Sequence, residues 1–175
     1  MKSLDKVNVL VNPKISGDQL LSFYERNNAC EVGEGKEGAT RVLQHSSLII
    51  GAFEGDKLVG IARAMFDGCA GAIMEFSIDL EYQGQDLKFR NGTTIEKDSS
   101  GLGKKMGRIL IEELFRMGAT FIEYYILQKC DEEFFESVGF KHNKGLLPYF
   151  IDIRPYSRGL VPEWGWEAHS ARCSS

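Results

Sequence analysis

The sequence predicts an α/β (α+β) domain: a mixed, largely antiparallel sheet of about six to seven strands with helices on both faces. Three observations predict it. Strand-like and helix-like periodicities alternate along the chain in the order β-α-α-β-β-β-α-β-α-β. The middle strands are joined by short turns, which makes them antiparallel. A helical pattern over 101–118 separates two apolar strands, and such a crossover makes its flanking strands parallel.

Each element has a local cause. "VNVLV" (7–11) reads as the first strand, and "SGDQ" (16–19) is a Ser-x-x-Gln capping box. The helix it opens carries Leu20, Leu21, Phe23 and Tyr24 on one face. A weaker helix covers the region of Ala39 to Gln44. "LIIGAF" (48–53), a turn at "EGD" and "KLVGIARAMF" (57–66) form a hairpin. "AIMEFSIDLEY" (72–82) alternates, with Met74, Phe76, Ile78 and Leu80 on one side and Ile73, Glu75, Ser77, Asp79 and Glu81 on the other. From Gly101 the period becomes helical, with Leu102, Met106, Ile109, Leu110, Leu114 and Phe115 as its stripe and a glycine stop in "MGA". "FIEYYIL" (121–127) is a strand. "DEEFFESVGF" (131–140) is a short helix with Asp131 as cap and Gly139 at its end. "PYFIDIRPY" (148–156) is the last alternating strand, and the tail beyond Arg158 has no period.

At 175 residues the chain reads as one domain over 1–158 with a C-terminal tail at 159–175. Its 43% hydrophobic and 26% charged residues are those of a globular chain. A net charge of −4 argues against non-specific nucleic-acid binding, which needs a strong positive field. The apolar run "AGAIMEFSI" is broken by Glu75, so no membrane span is expected, and "MKSLDKVNVLVNPK" lacks the pattern of a signal peptide. The expected compartment is the cytosol. Cys30, Cys69, Cys130 and Cys173 are scattered, without metal-ligand spacing to one another or to the histidines. Disulfides among them are open in principle, but reduced thiols fit the expected compartment. "NGT" at Asn91 matches a glycosylation acceptor and is read as chance on the same ground.

The stretch "EYQGQDLKFRNGTTIEKDSSGLGKKMGR" (81–108) carries the chemistry. A helix start offers orphan N–H groups and the positive end of the macrodipole. Gly101 and Gly103 would let an anion approach the backbone. Lys104, Lys105 and Arg108 oppose the dipole, at a cost of about 0.3–1 kcal/mol each, and a bound polyphosphate explains them. A flexible glycine turn with solvated lysines is the plain alternative. "SGLGKK" fails as a nucleotide-hydrolase loop, because Lys105 stands where Ser or Thr is required. "GLGKKMG" with Glu123 loosely matches a dinucleotide fingerprint, but "TTIEKD" is too polar for the buried strand that should precede it.

From about Leu48 to Tyr156 the layout resembles the GNAT superfamily of acetyl-CoA-dependent N-acetyltransferases. The resemblance rests on the hairpin "LIIGAFEGDKLVGIARAMFDG", the strand "AIMEFSIDLEYQG", the helix "GLGKKMGRILIEEL" and "FFESVGF". The family's diphosphate motif is Gln/Arg-x-x-Gly-x-Gly/Ala. Here it begins as Gln83-Gly84-Gln85 and finishes as Gly101-Leu102-Gly103, as though 86–100 were inserted. That insertion reads as a β-hairpin, "DLKF", a turn at "RNGT", then "TIEK", with Ser99 or Ser100 capping the helix. Paired strands would reunite Gln85 with Gly101, since closure depends weakly on loop length. The other register places Asp98 in the Gln/Arg slot, an acid beside phosphates. The hairpin is placed to act as a lid or as an arm of a homodimer.

The resemblance implies acetyl-CoA as cofactor. It implies that Phe76, Ser77 and Ile78 hold the pantetheine arm, that the Ile78 N–H polarises the thioester carbonyl, and that the Gly101–Lys105 amides, with Lys104 among them, take the diphosphate. Gln128 stands where the family often has a cofactor-contacting Asn. Phe135 replaces the family's usual acid tyrosine, leaving Tyr125, or less directly Tyr149, as the candidate proton donor. Glu75, a carboxylate in an apolar run, is the candidate general base, directly or through water, unless it faces solvent with Asp79 and Glu81. Those three acids on one face would suit a cationic amine, and Arg63 either faces the acceptor or snorkels on the sheet. The function implied is direct acetyl transfer to a primary amine, a small molecule before a protein N-terminus or lysine. The rivals are a non-catalytic acyl-CoA-binding or regulatory module and a dinucleotide-binding oxidoreductase.

Overall fold

A computed structural model of the chain describes residues 2–29, 33–126 and 130–145. Among these residues five strands form one sheet in the order β1-β2-β3-β4-β5: Val7–Val11, Leu48–Glu54, Lys57–Phe66, Ala70–Ile78 and Phe121–Glu123. The first four pair antiparallel, and β4 pairs β5 in parallel through Ala70–Phe121, Gly71–Ile122 and Ala72–Glu123. The parallel step is made by the long helix between them, as a crossover requires. The last expected strand, 148–156, and the tail lie outside the described residues.

Helices cover both faces. Helix α1 (Gly17–Arg26) opens on the expected capping box: the Ser16 hydroxyl accepts the Gln19 N–H at 3.1 Å, and the Gln19 side chain accepts the Ser16 N–H at 3.0 Å. With α2 (Gly35–His45), longer than the expected 39–44, it packs Leu20, Phe23, Tyr24 and Ala39 against Ile49, Phe53, Leu58 and Ile61 of the sheet. On the opposite face lie α4 (Leu102–Met117) and α5 (Glu132–Ser137). Met106, Leu110 and Leu114 of α4 and Phe134 and Phe135 of α5 pack on Ile50, Ala62, Phe76 and Ile78. No helix among the described residues is long and apolar enough to cross a membrane.

Three expectations are corrected. Strand β4 ends at Ile78, not at 82, because the Asp79 carboxylate accepts the Glu81 N–H at 3.2 Å and caps a short helix, α3 (Leu80–Gln83). The alternation along β4 also breaks. Arg63 pairs Glu75 but Ala64 pairs Ile73, so Met74 is the extra residue of a bulge. Ile73 therefore shares the α4 face with Phe76, while Met74 is 56% exposed. Lastly, 86–100 contains no paired strands. It is an irregular segment held by side chains: the Glu96 carboxylate accepts the N–H groups of Lys88, Phe89 and Arg90 at 2.6–2.8 Å. The turn at "RNGT" thus closes on a carboxylate rather than on a ladder.

Candidate active site

Pairing between β4 and β5 stops at Ala72 and Glu123, so among the described residues the rest of β4 has no strand partner on that side. In the β3–β4 ladder the Asp79 N–H donates to Val59. By strand alternation the Ile78 N–H therefore points away from β3, into the opening. The segment that leads into α4 is tied to the residues just after β4 by the Ser100 N–H on the Tyr82 carbonyl and the Ser99 N–H on the Gln83 carbonyl.

The chain itself fills the backbone groups that the sequence singles out. The Ile78 N–H donates to the Gly92 carbonyl at 3.1 Å. The Gly103 and Lys104 N–H groups donate to the two oxygens of the Asp98 carboxylate at 2.9 and 2.8 Å. The Leu102 N–H donates to the Ser100 hydroxyl at 3.2 Å, and those of Gly101 and Lys105 donate to the Asp98 and Gly101 carbonyls. Every amide from Gly101 to Lys105 therefore has an intrachain acceptor. A Cβ on Gly103 would lie 2.8 Å from the Phe134 ring and 3.2 Å from Asp98 Cγ, so this glycine admits protein atoms. In this conformation the helix start does not fit a diphosphate.

Gln83 is also engaged. It is fully buried; its amide donates to the Thr94 carbonyl at 2.7 Å, and its oxygen accepts the Glu96 N–H at 3.1 Å. Gly84 adopts φ +134°, and the Gln85 carbonyl accepts the Lys97 ammonium at 2.9 Å. The two halves of the motif do meet, through the Ser99 N–H on the Gln83 carbonyl and the Ser100 N–H on that of Tyr82. Asp98, noticed in the sequence only as an awkward acid in the Gln/Arg slot, is the residue missed. Its signal was an acid just ahead of a helix start that lacks acids of its own.

On the α1 side of β4, Glu75 is buried rather than solvent-facing. One of its oxygens accepts the Arg63 guanidinium at 2.6 Å and the Tyr24 hydroxyl at 2.8 Å, and the other accepts the Ser77 hydroxyl at 3.0 Å. Arg63 is buried too and reaches the Ser46 hydroxyl at 3.1 Å, so it does not snorkel. Asp79 is paired with Arg26 and Lys57, and Glu81 with Lys2 and Lys57. The three acids thus already hold cations of the chain, and they give no separate sign of a cationic acceptor. Phe135 lies in an aromatic cluster with Phe76, Phe134, Tyr124 and Phe140 at centroid distances of 4.7–5.7 Å. Tyr125, past the end of β5, is 71% exposed. Gln128 and Tyr149 lie outside the described residues.

No family model matches the chain, and no curated protein does. Solved structures do. A GNAT family acetyltransferase from Streptococcus pneumoniae superposes with a TM-score of 0.63 at 17% identity, over 85% of this chain and 99% of its own. AAC(6')-Iy, in complex with the bisubstrate analogue CoA-S-monomethyl-acetylneamine, gives 0.59 at 9% identity over 83% and 98%. An aminoglycoside acetyltransferase from an uncultured soil metagenomic sample, in complex with sisomicin, gives 0.57 at 15% identity over 87% and 100%.

Proposed function

We propose, from a chain that has the fold of the GNAT acetyltransferases, that it is an acetyl-CoA-dependent N-acetyltransferase that acylates a primary amine, a small molecule in the first place. The observation that carries this reading is the parting of β4 from β5 after Ala72 and Glu123, beside a Gly-x-Gly helix start ringed by Lys104, Lys105 and Arg108. Complexes of two structural neighbours with sisomicin and with an acetylneamine analogue support an amine acceptor.

Under this reading Glu75 receives the proton of the attacking amine, through water or through the Ser77 or Tyr24 hydroxyl that it holds. Tyr125 is the proposed proton donor. The residues assigned to the cofactor are Phe76–Ile78, Gln83–Gln85, Gly101–Lys105, Gln128 and Phe135. In this conformation the helix-start amides are filled by the chain's own acceptors. A second reading, a non-catalytic acyl-CoA-binding module, is favoured by the buried Phe135 where the acid tyrosine would stand. Thiol release from acetyl-CoA over a panel of primary amines separates the two. Turnover with at least one amine is expected; cofactor binding with no release from any amine would install the second reading.

A further inference from the structure

We propose that residues 85–100 form a displaceable strap that closes the donor site from within: the Asp98 carboxylate holds the helix-start amides that a diphosphate would take, and the Gly92 carbonyl holds the free edge of β4. The inference rests on the acyltransferase reading and adds a gate to it.

Three observations carry it. First, Asp98 does not cap α4 as an adjacent residue would. It reaches forward five and six positions, and each carboxylate oxygen takes one amide, at 2.9 and 2.8 Å. An oxyanion with two oxygens astride a helix start is the contact made there by a phosphate. Second, Lys104, Lys105 and Arg108 are exposed at this start, and among the described residues no ion pair engages them. A single carboxylate leaves their charge largely uncompensated. A diphosphate brings more negative charge than it displaces, so it would gain both the amides and the cations.

Third, the strap is built to move as one piece. It enters at Gly84 and leaves at Gly101, with φ of +134° and +79°. Asp86 and Arg90 also adopt positive φ, at +58° and +53°. Glu96 binds the strap to itself through Lys88–Arg90, and its hydrogen bonds to the body are made at Arg90, Gly92, Thr94, Ile95, Glu96, Ser99 and Ser100. The Gly92 N–H donates to the Asn27 carbonyl at the end of α1, the Ile95 N–H to the Asp131 carboxylate before α5, and the Glu96 N–H to the Gln83 side chain. Ile95 is an apolar anchor, fully buried against the α4-side core, and Asn91, Gly92 and Thr94 are buried as well. The strap thus crosses the mouth of the opening from α1 to α5 and is latched at the helix start by Asp98. A protein whose binding-competent state is partly populated binds its ligand more weakly by that fraction.

The test uses the full chain with coenzyme A as probe. Amide hydrogen exchange is followed with and without saturating coenzyme A, and affinity is measured by calorimetry for the wild type, Asp98→Asn and Glu96→Gln. The expected result is faster exchange at Gly92, Ile95 and Glu96 when coenzyme A binds, because their acceptors lie on the body. Asp98→Asn is expected to tighten binding roughly tenfold or more by removing a charge-assisted competitor. Glu96→Gln leaves the helix start capped, loosens the strap and should shift affinity the same way; it serves if Asp98→Asn does not fold. Binding of coenzyme A with exchange at those three amides unchanged or slowed would overturn the strap alone. Failure of the wild type and both folded variants to bind would overturn the acyltransferase reading and the strap with it.

Discussion

At the scale of single residues, the buried Arg63–Glu75 pair has the clearest energetic consequence. Desolvating two charges is costly, and their attraction offsets this only while both are present and hydrogen-bonded. Here Tyr24, Ser77 and Ser46 complete the network. Arg63→Leu is expected to lower the unfolding free energy by about 3–5 kcal/mol, because it leaves the Glu75 carboxylate buried without its cation. Urea denaturation measures it, and a loss below about 1 kcal/mol would show that the pair is not desolvated. Cysteine chemistry offers a second check. Burial, with the Asp131 charge beside it, pushes the Cys130 thiol up to about 12, whereas Cys69 is exposed. The reactive species is the thiolate. At pH 8 a maleimide should therefore label Cys69 well before Cys130, as peptide mapping by mass spectrometry would read. By linkage, Cys130 favours the fold below its ordinary value of 9.0, and this contribution is lost as pH rises from there towards about 12.

At the scale of elements, starts and stops are local chemistry and can be tested one at a time. Ser16→Ala removes the oxygen that accepts the Gln19 N–H, and α1 should lose about 1 kcal/mol of support, seen as a lower Tm. Gly103→Ala meets the Phe134 ring at 2.8 Å and should cost about 1–3 kcal/mol, since that ring is packed between Phe76 and Phe135. Strand β4 illustrates why alternation alone misassigned its faces. A bulge is set by the pairing of two strands: the extra residue, Met74, is visible only against the partner register of Arg63 and Ala64. The insertion fails as a hairpin for a related reason. Its turn residues were legible, but Glu96 competes for the N–H groups of Lys88–Arg90 that a ladder would have used.

At the scale of the whole molecule, the proposed function makes one thermodynamic demand. A ligand that binds only the folded state stabilises it by mass action, by about 2.7 kcal/mol at a hundredfold excess over Kd. Coenzyme A at that excess should raise the Tm by roughly 5–10 °C, and NADH or NADPH should leave it unchanged. A rise with a nicotinamide cofactor alone would instead favour the dinucleotide reading.

The first strand, the α1 capping box, the central hairpin, the crossover over 101–118 and the glycine start of α4 were all legible in the sequence. They depend on periodicity and on residues within a turn of one another. The tertiary structure alone decided who meets whom: Arg63 and Tyr24 on Glu75, Gly92 on Ile78, and Asp98 on Gly103 and Lys104. An irregular segment has no period to read, and its buried polar groups take whichever partner the folded chain brings within reach. Glycines and lysines at 101–105 could therefore announce an anion site, while only the fold could reveal that an acid of the same chain already stands in it.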